Sequence, residues 1–240
     1  MNKTPHIVSS FDRDLESVQT MVVKMGGMVE AAIDEAARAL DTRDEELAED
    51  VRRRDRAIDA LEEKINEEAA RLIALRSPAA SDLRLALSVI KIAASLERIG
   101  DFAKNIAKRS HLLVHMPVIE GAGGAIRRMS TTVEAMLADA LDAYIRRDAD
   151  LAADVRHRDV EVDQMYNALF REFLTYMMED PRNITACMHL HFIAKNIERM
   201  GDHATSIAEQ VIYLVTGVMP DDARPKTESV NPADLDESEV

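Results

Sequence analysis

Proline punctuates this chain in an alternating rhythm, and that rhythm limits the fold more than any other feature. Pro5, Pro78, Pro117, Pro181 and Pro220 enclose a long, a short, a long and a short interval. Proline removes a backbone donor and clashes with the preceding turn, so continuous helices run only between such points. The rhythm is that of a duplicated unit. Residues 44–55, DEELAEDVRRRD, realign on 148–159, DADLAADVRHRD, at a shift of 104. LERIGDFAKNIA (96–107) returns as IERMGDHATSIA (197–208) at a shift of 101, so the second copy has lost three residues between these points.

With breaks at Asp44, Asp148 and the prolines, the pattern predicts six helices, over about 8–41, 44–75, 82–115, 122–147, 149–179 and 183–216. Composition agrees. The chain is 47% hydrophobic, mostly Ala, Leu, Ile, Val and Met, with 4% aromatic residues and no Trp, which suits long helices rather than sheets. A helix of roughly 30 residues reaches ~45 Å, and an apolar stripe of that length needs more than one neighbour to cover it. The expected fold is all-α: two tandem three-helix bundles, residues 1–117 and 118–217, joined at EGAGGA (120–125). Residues 218–240 are acidic, carry three prolines and offer little to bury, and are expected to be disordered.

A formal net charge of −14 repels nucleic-acid backbones and anionic lipid surfaces, which leaves cations and basic protein surfaces as partners. Cys187 is the single cysteine, so no intrachain disulfide forms. No basic-then-apolar leader is visible, and no stretch approaches the ~20 apolar residues of a membrane span. The expected location is cytoplasmic, without direct membrane insertion, and the chain could still sit against a membrane protein.

The chemistry-bearing pattern is acidic. On a helical wheel Ile92, Leu96, Ile99, Ala103 and Ile106 form one stripe. Glu97 and Asp101 lie roughly 120 to 160° from it, off the core. As i,i+4 neighbours they repel by a few tenths of a kcal/mol, which something should offset. The preceding helix of the first copy carries Asp55 and Asp59, and the second copy repeats the arrangement with Asp159, Asp163, Glu198 and Asp202. In an antiparallel hairpin Asp55 faces Asp101 and Asp59 faces Glu97 in one register centred on Pro78. Asp159 with Asp202 and Asp163 with Glu198 share another, centred beside Pro181. Each quartet is read as a site for divalent or iron-type metal ions, because hard cations take oxygen ligands and cancel the repulsion. The plainer alternative is a solvated face, with Arg98, Arg199, Lys104 and Lys195 supplying weak surface ion pairs. Gly100 and Gly201, each costing ~1 kcal/mol against alanine in a helix, are read as points of close helix approach.

Other residues are assigned plainer roles. His203 is read as a surface or interface histidine, Cys187 as a packing residue, and Met21, Met25 and Met28 as core fillers. His191 lies two turns, ~10 Å, from Glu198 and is too far to share a metal with it. No Glu-x-x-His pair marks a ferritin-like centre, and no nucleophile–base set or phosphate loop is present, so the sequence gives no positive case for an enzyme.

FDRDLESVQTMVVKMGGMVEAAI, DLRLALSVIKIAASLERIGDFAKNIA and HLHFIAKNIERMGDHATSIAEQVIYLVTG, with the doubled E-R-x-G-D motif, resemble the PhoU family of bacterial phosphate-signalling accessory proteins. The resemblance covers roughly residues 7 to 217. It implies two three-helix bundles, each with a multinuclear metal cluster on its acidic motif. It also implies action beside the phosphate ABC transporter, through its ATPase subunit, and the sensor histidine kinase, holding the phosphate-starvation response off when phosphate is sufficient. A homodimer is expected, and Arg98 and Arg199, exposed beside the ladders, are the candidate partner contacts. The runner-up function is a metal-dependent enzyme acting on phosphate compounds, since a carboxylate-bound metal can keep open positions.

Overall fold

The computed structural model describes residues 5–76 and 80–220. Six helices follow one another: α1 (Pro5–Thr42), α2 (Glu45–Arg76), α3 (Ser81–Leu113), α4 (Ala122–Arg146), α5 (Ala149–Glu179) and α6 (Ile184–Thr216). One 3-10 turn, Pro181–Asn183, leads into α6, and no strand occurs among the described residues. The helices predicted from punctuation are all present, with ends displaced by three residues at most. Helix α1 begins earlier than predicted, at Pro5. Proline suits a first helical position, where its missing N–H would have no partner in any case. Pro78 and residues 221–240 lie outside the described residues, so the hairpin centre and most of the proposed disordered tail do too.

The breaks within each copy are built alike. The Asp44 Oδ1 accepts a hydrogen bond from the Leu47 N–H at 3.0 Å, and Asp148 accepts from the N–H groups of Asp150 and Leu151. Both are N-caps. The residue before each has a left-handed backbone, Arg43 at φ 54° and Arg147 at φ 57°, where helix ends more often place glycine. The N–H groups of Asp44 and Asp148 reach back to the carbonyls of Ala39 and Ala143, both at 3.0 Å, and close the last turns of α1 and α4. Arg43 repays part of its strain elsewhere. Its Nη2 donates to the carbonyls of Leu113, Val114 and Met116 at 2.6, 2.5 and 2.9 Å, tying the end of α3 to the α1–α2 turn.

Helices α2 and α3 pair as one hairpin, and α5 and α6 as the other. Helices α1 and α4 complete the two bundles. The bundles also close on each other, α3 against α6 and α1 against α4, so that one continuous apolar core runs through both copies. The stripe Ile92, Leu96, Ile99, Ala103 and Ile106 is fully buried, as are Met25 and Cys187. No helix among the described residues is long and apolar enough to cross a membrane.

The contact between α1 and α4 can be tested at two adjacent glycines. A Cβ on Gly26 would lie 2.4 Å from Leu141 Cδ1 of α4, whereas a Cβ on Gly27 would meet nothing within 4 Å. Gly27→Ala should therefore raise stability by about 1 kcal/mol through helix propensity alone. Gly26→Ala should gain less or lose stability, because Leu141 has to move. Equal shifts of the two variants in thermal melts would show that α1 does not close on α4 at this point.

Candidate functional site

The four acids of the first copy line the seam between α2 and α3. Asp55 is 3% exposed, while Asp59, Glu97 and Asp101 are half-buried. The burial of Asp55 corrects the expectation that the whole ladder stands off the core. Gly100 is the physical reason. A Cβ there would lie 3.2 and 3.3 Å from the methyl groups of Ile58 and 3.7 Å from Asp55 Oδ1, so α3 passes close over this part of α2. Gly201 does the same in the second copy, 3.3 Å from Asp159 Oδ1 and 3.4 Å from a Val162 methyl. Both glycines are points of close approach.

Closing the seam crowds the carboxylates. Burial raises the Asp55 pKa, Lys104 opposes this, and Asp59 and Asp101 add to it. Burial also raises Glu97, with Asp101, Glu62 and Asp59 pushing the same way and Arg98 opposing. Glu62 thus joins the predicted quartet. Its signal was available in the sequence, one turn beyond Asp59. In the second copy burial raises Glu198, helped by Asp202 and Asp163 and opposed by Lys195.

Each seam carries its own ammonium. Lys104 Nζ lies 2.5 Å from Asp55 Oδ2 and donates to Asp101 Oδ1 at 3.2 Å, bridging α2 and α3. Lys195 Nζ donates to Glu198 Oε1 at 2.6 Å and sits 5.1 Å over the Tyr166 ring. These are more than the exposed surface pairs of the plainer alternative, since one partner in each is largely buried. The two lysines are not repeat equivalents. The place of Lys104 is taken by buried Thr205 in the second copy, and that of Lys195 by Ala94 in the first.

The two candidate partner-binding arginines are exposed but occupied. Arg98 lies 3.6 Å from Glu97 and 3.7 Å from Asp101 through single nitrogens. The Arg199 guanidinium stands 4.9 Å over the Phe102 ring of α3, and the His203 ring packs 5.7 Å from the same phenyl. His203 is therefore an inter-copy contact. His191 packs among Tyr166, Phe170 and Phe192.

Among the described residues no three His, Cys, Asp or Glu side chains converge as a ready metal set. The donor chemistry nevertheless suits a hard cation. Carboxylate oxygens line both seams, and Asp55 Oδ1 and Glu198 Oε2 are buried without a hydrogen bond. In the first seam Lys104 occupies two of these carboxylates, Asp55 and Asp101, and its side chain is 41% exposed.

The PhoU domain family matches this chain twice, over residues 22–110 and 126–211. The chain belongs to the PhoU family. A phosphate-specific transport system accessory protein PhoU homolog of Caulobacter vibrioides is 47% identical over 223 residues, 93% of this chain and 97% of that protein. Its counterpart in Rhizobium meliloti is 45% identical, over 92% and 93%. The crystal structure of PhoU from Pseudomonas aeruginosa superposes with a TM-score of 0.84 at 43% identity, covering 87% of this chain and 100% of that one. The phosphate transport system regulatory protein PhoU from Streptococcus pneumoniae gives 0.82 at 32% identity, over 88% and 99%.

The crowding of Glu97 has a pH signature. Its folded pKa is raised above the ordinary 4.5, so its contribution to stability is present below that value and is lost as pH rises through the folded pKa. In chelated buffer at pH 7, Glu97→Gln should be more stable than the parent by a few tenths of a kcal/mol. The gap should close in acid. Thermal melts across pH measure it, and a variant no more stable than the parent at pH 7 would mean that the carboxylate is already neutralised in the folded chain.

Proposed function

We propose that this chain is a non-catalytic cytoplasmic adaptor of phosphate uptake and signalling. It links the ATPase subunit of the phosphate ABC transporter to the sensor histidine kinase and holds the starvation response off when phosphate is sufficient. The observation that carries this is the doubled E-R-x-G-D seam inside two PhoU domains that together span most of the chain. The names of the relatives, accessory and regulatory proteins of phosphate transport, support the same role. The absence of a membrane-spanning helix among the described residues fits a protein that meets membrane partners from outside the bilayer. A strain lacking the chain should express alkaline phosphatase in phosphate-rich medium, and normal repression there would end this reading.

The acidic seams would hold divalent or iron-type metal ions, through Asp55, Asp59, Glu97 and Asp101 in the first copy and Asp159, Asp163, Glu198 and Asp202 in the second. A bound ion would supply the positive charge that Lys104 and Lys195 supply in its absence. In protein purified without chelator, the double variant Glu97→Ala, Asp101→Ala should carry roughly half the parent's metal while keeping its helical content. Equal metal content would remove the first seam as a site. Lys104→Met should bind metal in the first seam more tightly than the parent, since no ammonium then competes.

Two further features complete the proposal. The adaptor works as a homodimer, and Arg98 and Arg199 present charge to acidic groups of its partners. Both arginines are exposed and lie on the helices that carry the E-R-x-G-D motif, and their intramolecular contacts are long enough to exchange for partner groups. Reversing both to Glu should slow association with the purified kinase cytoplasmic region or the transporter ATPase while sparing the fold. Parent-like affinity for both would remove the arginines from the interface.

A further inference from the structure

Helices α3 and α6 run antiparallel through the middle of the molecule, in a register that brings Arg109 to Phe192, Phe102 to Arg199 and Arg84 to Gly217. Helix α1 packs on α3 and α4 packs on α6, and the side of the pair turned away from them is open to solvent. On that side Leu87, Lys91, Arg98 and Leu112 of α3 and Met188, Phe192 and Arg199 of α6 are exposed. Apart from Asp82 at the start of α3, no exposed position of either helix is acidic, in a chain whose net charge is −14. The acids of both helices lie in the flanking seams instead.

The stripe has an apolar end and a basic end. At the first, a cavity of about 360 Å³ lies between Leu87, Ile90 and Lys91 of α3 and Gln210 and Tyr213 of α6, with Met219 beside them. Towards the second, two guanidiniums stand over phenyl rings of the opposite helix, Arg199 over Phe102 at 4.9 Å and Arg109 over Phe192 at 4.4 Å. A ring holds a guanidinium in place while its N–H edge can still bond a carboxylate. Arg109 gives one of its N–H groups to His189 Nδ1 at 3.2 Å. The two pairs are seven residues apart along each helix, a rise of ~10 Å, and the cavity lies a further ~20 Å along the groove.

We propose that the open α3–α6 groove docks one acidic amphipathic helix of a partner protein. An aromatic or large aliphatic side chain of that helix fills the cavity between Leu87 and Tyr213, and two carboxylates meet Arg199 and Arg109. The spacings are those of one helical face. Residues seven apart share a face and are ~10 Å distant, so an anchor followed by acids about fourteen and twenty-one residues later reaches all three places. Apolar contacts with Phe192, Met188 and Leu112 complete a helix-in-groove interface. The width of the stripe selects a helix over a flat anionic surface. The acids of the two seams lie on either side of it, so a membrane would meet both seams, whereas a single helix of ~10 Å diameter lies between them. The proposal rests on the reading of Arg199 as a partner contact and adds Arg109, the cavity and the chemistry of the partner.

The test is fluorescence anisotropy of the full chain, in chelated buffer, with a capped and labelled helical peptide of about 24 residues built on Ala and Gln, with Leu on the docking face. It carries Phe near its start and Glu fourteen and twenty-one residues after that Phe. Replacing both Glu by Gln, or Phe by Ala, should each weaken binding about tenfold. Arg109→Gln in the chain should weaken the Glu peptide about tenfold and leave the Gln peptide unchanged, with melting temperature and circular dichroism checking that the variant folds. The peptide comparisons on the parent chain decide the matter even if it does not. No binding of the Glu peptide, equal binding of the Glu and Gln peptides, or undiminished binding by folded Arg109→Gln would each overturn the proposal. So would binding of the chain to phosphatidylglycerol vesicles that Arg109→Gln abolishes, which would give the stripe to a membrane, or competition by a peptide of residues 221–240, which would give it to the chain's own tail. Neither kinase nor transporter is in the assay, so its failure leaves the adaptor role standing, and normal repression in the deletion strain leaves the groove standing.

Discussion

Two helices that carry carboxylates toward one another can close only if positive charge enters the seam with them. Pairs of like charge a few ångströms apart repel, and the repulsion grows as burial removes water from between them. In this chain the closing is forced by Gly100 and Gly201, whose missing side chains let α3 settle on α2 and α6 on α5. Lysine supplies the charge in both seams, from Lys104 in one and Lys195 in the other. Helices α3 and α6 also pack on each other, Arg199 and His203 reaching Phe102 across the boundary. The charge balance of each seam is therefore joined to the contact between the copies.

Much of this was legible in the sequence because it is written in periodicities. The proline rhythm and the capping aspartates gave the six helices, and a wheel combined with an antiparallel register brought Asp55 toward Asp101 and Asp59 toward Glu97. Asp55 marks where that reasoning ends. A wheel places a residue on its own helix, and a register adds one neighbour, but the depth of Asp55 depends on a third. It lies beside α1 as well as α3, and only the packed bundle shows both. Arg43 was missed for a related reason. Nothing local marks arginine as suited to a left-handed turn, and its three carbonyl acceptors lie about seventy residues further along the chain.

The unequal lysines are the place where duplication and function part company. Both copies inherited the acids and the glycine, so both inherited the same electrostatic problem, yet each solves it with a lysine from a different turn. The consequences differ. Lys195 is held twice, by Glu198 and by the Tyr166 ring, and the oxygen it neutralises belongs to a residue on its own helix. Lys104 instead ties α3 to α2 through Asp55, whose carboxylate lies almost wholly out of water. Removing an ammonium from such a partner leaves a buried, uncompensated charge, a loss that commonly costs several kcal/mol. Lys104 can therefore leave Asp55 at low cost only when another cation arrives as it goes. Any cation that displaced Lys104 would also release a strap between two helices of the shared core.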